Sequence, residues 1–202
     1  MLRDEFRELL FEGGEDLLEL CISSSQTPFV FDGDDEAWAM FRERISERLS
    51  ALPENISIVG SARFGFSQKP ERNFRSFSDN SDIDLVVVDA EQFDDLWHRL
   101  LRGAYPRPIR AVQGWVRARQ GEVYTGWLTP AIIRPDRGIY GPKVDPILQF
   151  THIWFETQRL ANSYVAKAHE NINARLYRTW EHVRHYHRQS LSQLRHSIVE
   201  SE

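Results

Sequence analysis

The chain has 202 residues, 41% hydrophobic and 27% charged, which suits one packed core and excludes global disorder. No apolar stretch reaches the roughly 18–20 residues of a membrane span, the acidic start is unlike a secretory signal, and one cysteine, Cys21, excludes a disulfide framework or a cysteine-based zinc site. Net charge is −5, but residues 1–101 carry 10 Lys or Arg against 22 Asp or Glu, and residues 102–202 carry 15 against 8.

Asp4 to Ile22 reads as a helix with Phe6, Leu9, Leu10, Leu17, Leu18 and Leu20 as apolar positions, interrupted at Gly13-Gly14. A Ser-rich loop follows at Ser23–Thr27, then the short apolar run Phe29-Val30-Phe31. Asp34 is placed to cap a helix carrying Ala37, Met40, Phe41, Ile45 and Leu49 at helical spacing, with Pro53 marking its end. Ile56–Val59 reads as a buried strand closed by Gly60, and Ile83–Val88 as the strongest strand in the chain. Polar sequence, Ser67 to Ser81, separates them, and Phe93–Leu101 reads as a helix. Ile109–Arg119 has helical character, and Gly121–Ile133 is mixed. Thr157–Ser197 lacks Gly and Pro and reads as mostly helical. The expected class is α+β: a small mixed sheet with flanking helices over residues 1–150, and a C-terminal helical segment, 151–202, packed on it.

Chemistry concentrates in two places. Asp82 and Asp84, at i and i+2 on a strand, point to one face with Cα atoms roughly 6.5–7 Å apart. Paired acids on an apolar strand repel, and a divalent cation removes that cost; Mg2+ favours such oxygen ligands with phosphates completing its shell. Two ions about 3.5–4 Å apart would activate a hydroxyl and stabilise a leaving pyrophosphate. The turn Gly60-Ser61 follows a strand and opens a helix, so its free N–H groups and the Ser61 hydroxyl offer an anion site that glycine lets phosphates approach. The alternative is a chance turn beside two solvated acids, which leaves Asp84 inside an apolar run unexplained.

Gly60-Ser61-Ala62-Arg63-Phe64-Gly65 followed by Ser81-Asp82-Ile83-Asp84 resembles the GSxxxG and SDxD signature of the nucleotidyltransferase superfamily related to DNA polymerase beta, over about residues 56–101. The resemblance implies that family's fold and Mg2+- or Mn2+-dependent transfer of a nucleoside monophosphate from an NTP, such as ATP, to a hydroxyl of a protein, RNA or nucleotide. It assigns the triphosphate to Gly60 and Ser61, and the metals to Asp82 and Asp84. Minimal transferases of toxin–antitoxin pairs and oligonucleotide cyclases of phage defence share the signature.

Arg63 either pairs with the triphosphate or lies on the exposed side of its helix, and Ser81 either orients Asp82 or caps the strand. Two departures stand out. The polar insert bearing Lys69, Arg72 and Arg75 forms either a flap over the triphosphate or a solvated loop. The third carboxylate that active members carry on a later strand is not evident. Asp136 is favoured over Glu122 and Asp145, and without it the chain reads as a nucleotide-binding or antitoxin-like module.

The C-terminal segment interleaves Arg175, Arg178, Arg184, Arg188 and Arg195 with Tyr177, Trp180 and Tyr186. RNA contact is one use of this basic half; a solvated face opposite a buried stripe of Leu176, Trp180, Val183, Leu191 and Leu194 is the simpler one. His182 and His185 have metal-ligand spacing but no evident third ligand. No membrane partner and a cytoplasmic location are expected.

Overall fold

Alternation along three short strands decides which helices cover which face. The computed structural model describes residues 1–13, 15–106, 110–133, 141–165 and 172–201, with only the backbone at 110–113, 115 and 201. The N-terminal helical run splits as expected into α1 (Arg3–Glu12) and α2 (Glu15–Ile22), with Gly13 left-handed at the break. Asp34 caps α3 (Asp35–Leu49), its carboxylate accepting the Ala37 N–H at 2.9 Å. Next come β1 (Ile56–Val59), the one-turn helix α4 (Ser61–Phe64), β2 (Ile83–Val88) and α5 (Ala90–Ala104), which Asp89 caps through the Gln92 N–H. The remainder is α6 (Arg110–Tyr124), β3 (Trp127–Leu128), α7 (Asp145–Ala161), β4 (Ile172–Tyr177) and α8 (Trp180–Ser201).

The sheet order is β1-β2-β4-β3. β1 runs antiparallel to β2 and β3 antiparallel to β4, while β2 and β4 are parallel. A parallel pair needs a long crossover, supplied here by α5, α6, β3 and α7. Ile56, Ile58, Leu85, Val87, Ala174 and Leu176 project into a core with Trp38, Phe41, Ile45, Leu96 and Trp154 of α3, α5 and α7. Val59, Val86, Val88 and Tyr177 project oppositely, against Phe6, Leu10, Leu17, Cys21, Val183 and Leu194 of α1, α2 and α8. Both faces are covered, and each large side chain fully removed from water contributes roughly 1.5–3 kcal/mol.

The α+β class is as expected, but one element is not. Among its described residues the span 157–197 is mostly helical, but β4 interrupts it. The segment 151–202 is therefore no helical layer laid on a finished core; it supplies an interior strand of the sheet. Ile172, Ala174 and Leu176 alternate with Asn173 and Arg175, a two-residue period that fits a strand with one buried face. Trp38, fully buried in α3, also takes the core position expected of Met40, which is exposed.

Candidate active site at the mouth of β1 and β2

The antiparallel register Val59↔Asp84 places the end of β1 beside the start of β2. Gly60 follows Val59 with φ 70° and ψ −145°, a conformation that side-chain-bearing residues avoid. A Cβ added there would stand 3.4 Å from the Asp84 Oδ2. The glycine turn and the acidic strand, more than 20 residues apart in sequence, are thus adjacent, and any side chain at position 60 would touch the Asp84 carboxylate. Ser61 opens α4 from this turn, and the Gln68 side chain donates to the Gly60 carbonyl at 3.4 Å.

Asp82 is exposed and Asp84 half-buried. Among the described residues neither carboxylate has a hydrogen-bond or ion-pair partner. Burial raises the Asp84 pKa above its ordinary value, Arg175, Lys69 and Arg72 act against that shift, and Asp82 adds to it. A desolvated acid without a direct partner costs stability, and a bound cation relieves that cost.

The insert after α4 doubles back on the turn. Ser67 N–H donates to the Arg75 carbonyl and Phe77 N–H to the Gly65 carbonyl, both at 2.8 Å. Phe66 and Phe74 bury against Phe6 of α1, with ring centroids 5.4 and 6.1 Å away. Lys69 and Arg72 are exposed on this pinned loop, close enough for their charges to act on Asp84.

β4 forms the other wall. Asn173 is the register partner of Asp84, and Arg175 that of Val86. The Arg175 guanidinium lies over the rings of Trp127 and Tyr186, 4.9 and 5.1 Å from their centroids, with the Tyr177 side chain near it. Burial works against its charge, but the two tyrosines more than offset this and hold its pKa above the ordinary value. Burial, helped by Arg175, lowers the neighbouring His187 to about 4, and its buried Nε2 has no partner among the described residues.

Of the residues singled out from the sequence, Gly60, Ser61, Asp82 and Asp84 come together. Ser81 is buried beside them and shapes the turn: its hydroxyl accepts the Ser78 N–H at 3.1 Å. Arg63 is a correction. It is 5% exposed, and its guanidinium donates to the carbonyls of Leu20 and Ser23 and to the Gln26 side chain. It clamps α4 to the end of α2, with all three of its nitrogens turned to that segment. Asp136 lies outside the described residues. Glu122, expected at a strand start, lies on α6 and pairs with Arg119. Asp145 is exposed at the start of α7, accepting the Gly141 N–H at 3.0 Å.

Gln68, Asn173 and Arg175 were not singled out as site residues. The alternation in 172–176 was the available signal for the last two; nothing local marks Gln68.

Three arginines of the basic half meet the acidic half directly. Arg184 pairs with Glu19 at 2.7 Å, Arg188 with Glu15 at 2.9 Å and Arg178 with Asp94 at 3.0 Å. The His182 ring packs on Gly126, where an added Cβ would overlap it, and its Nδ1 pairs with the Thr179 hydroxyl at 2.7 Å.

Among the described residues no group of three or more His, Cys, Asp or Glu could hold a metal ion. The Asp82–Asp84 pair still fits Mg2+ or Mn2+, which commonly binds through one or two carboxylates together with substrate phosphates and water. Among the described residues no helix is long and apolar enough to cross a membrane. No protein-family model, no curated protein and no solved structure matches this chain.

Proposed function

We propose that this chain has a nucleotidyltransferase fold related to DNA polymerase beta, and transfers a nucleoside monophosphate from an NTP to an acceptor oxygen, releasing pyrophosphate. The closeness of the Gly60 turn to Asp84 carries this reading: a phosphate-binding turn and a carboxylate pair serve one reaction only if they touch one substrate. Asp82 and Asp84 hold Mg2+ or Mn2+, which when bound neutralises phosphate charge and polarises the reacting phosphorus. Gly60 admits the polyphosphate to the backbone, and the Ser61 hydroxyl donates to it. Gln68 fixes the turn's carbonyl, so the turn is formed before substrate arrives. Lys69 and Arg72 meet the outer phosphates from the pinned loop, and Asp136 completes the site if it reaches the acceptor. The buried free thiol of Cys21 suits the reducing cytoplasm, where a toxin–antitoxin or phage-defence role would operate.

β4 favours a second reading, a nucleotide-binding module without turnover, because it presents Asn173 and Arg175 where an acid would serve an acceptor hydroxyl. RNA contact through α8 has less support, since Arg184 and Arg188 are engaged by α2. The test is pyrophosphate release from each NTP with Mg2+ or Mn2+ and cell lysate as acceptor source. Release abolished in Asp82→Asn and Asp84→Asn supports transfer. NTP binding without release supports the module, and absence of NTP binding overturns both.

A further inference from the structure

The wall opposite Asp84 carries no acid: β4 reads Ile-Asn-Ala-Arg-Leu-Tyr throughout. Asn173, in register with Asp84, is exposed, so its amide is open to whatever occupies the mouth. Two residues along, on the same face, stands Arg175. Its guanidinium has five N–H donors, and the side chains of Tyr177 and Tyr186 occupy two positions around it. The rings of Trp127 and Tyr186 fix its plane and shield it from water without neutralising it. Arg175 is half-buried, which strengthens its attraction for an anion. Lys69 and Arg72 bring further positive charge to Asp84 from the loop on the other side. The mouth therefore has an acidic floor for metal and two cationic walls, one on each side.

A single triphosphate needs one of those walls, and the loop beside the Gly60 turn supplies it. The β4 wall is left to the acceptor. A hydroxyl acceptor must lose a proton as it attacks, and among the described residues this wall offers it an amide and a guanidinium, which are no bases. An acceptor that is already an anion has no proton to lose and is drawn to Arg175.

We infer that the acceptor is a phosphate monoester or inorganic phosphate, bound by Arg175 and Asn173 on β4. The inference rests on the nucleotidyl-transfer reading above and narrows its acceptor. An anionic oxygen of the acceptor phosphate bonds to the α-phosphorus of the NTP. The bond from that phosphorus to the oxygen bridging to the β-phosphorus breaks, and pyrophosphate leaves with the electron pair. No proton is transferred, and the product is a phosphoanhydride. With inorganic phosphate the product is a nucleoside diphosphate whose β-phosphorus comes from the acceptor.

The experiment uses the full chain with unlabelled NTP, Mg2+ or Mn2+, and [32P]orthophosphate, and follows label into nucleoside diphosphate together with pyrophosphate release. Label from orthophosphate excludes simple hydrolysis of the NTP as its source. The expected result is labelled diphosphate matched by pyrophosphate. Arg175→Gln and Asn173→Asp should each raise the KM for phosphate at least tenfold while the KM for NTP stays within about twofold. Asn173 is exposed, so Asn173→Asp keeps the test valid if Arg175→Gln fails to fold. A phosphate KM unchanged in Asn173→Asp overturns the inference. Pyrophosphate release with an RNA 3′-hydroxyl but not with phosphate overturns it and leaves nucleotidyl transfer standing. NTP binding without release with either acceptor overturns both and leaves the binding module.

Discussion

Two arginines flank the mouth, Arg63 buried and Arg175 half-buried, and their surroundings set them apart. Arg63 sits beside the phosphate turn in sequence, yet its donors go to two backbone carbonyls and an amide at the end of α2. Arg175 is remote from both motifs, yet it is in register with the residue two along from Asp84 and lies over two aromatic rings. Carbonyls consume a guanidinium's hydrogen bonds; rings hold its plane and leave donors over. The first arrangement ties the fold together, and the second keeps a charge available to a ligand. Proximity along the chain pointed to Arg63, whose hydrogen bonds go to the end of α2.

Substitutions at the mouth and at the clamp should separate these roles. The largest effect is expected for Asp84→Asn, with pyrophosphate release falling by about 100-fold or more. The same change should raise Tm at pH 7. Burial lifts the Asp84 pKa in the folded state, so its ionised form costs stability above that pKa and nothing below the unfolded value, where both states are protonated. The Tm gain should therefore fade as pH falls through the ordinary carboxylate range. A loss of Tm at pH 7 would instead make Asp84 a structural acid.

At the clamp, Arg63→Ala should cost about 3 kcal/mol in denaturant unfolding, because it removes the buried guanidinium's hydrogen bonds to Leu20, Ser23 and Gln26. Arg63→Ala protein that remains folded should keep its affinity for NTP; a specific loss of NTP binding would return Arg63 to the site.

Behind Arg175, His187 is held neutral with a pKa of about 4 against an ordinary value of 6.5. The unfolded chain takes up the proton first, so stability should fall by about 3 kcal/mol as pH drops from 7 to about 4. His187→Gln should flatten that slope, as read by urea unfolding across pH.

The smallest effects belong to the surface pairs between α2 and α8. Arg188→Ala, which removes the pair with Glu15, should change stability by under about 1 kcal/mol and lose even that in high salt.

Local signals carried most of the first half. The Asp34 cap, the break at Gly13, both strands of the antiparallel pair and the Gly60 turn each had a short-range cause: a capping side chain, a positive φ, an apolar run. The side to which Arg63 turned depended on where α2 ends, about 40 residues away, so no local pattern revealed it. β4 was hidden by composition, since a stretch without Gly or Pro suggests helix while its alternation covers only five residues, 172–176. With β4 unseen, Asn173 and Arg175 could not be placed opposite Asp84. The charge split was legible, and part of it is the intramolecular pairing of α8 with α2.

Titration of Mg2+-loaded NTP into the wild-type chain, Asp84→Asn and Gly60→Ala by calorimetry tests most directly whether turn and carboxylates form one site. Saturable one-to-one binding by the wild type, weakened at least tenfold by either substitution, is the expected result. Wild-type protein that takes up no NTP, or binding that both substitutions leave unchanged, would contradict it.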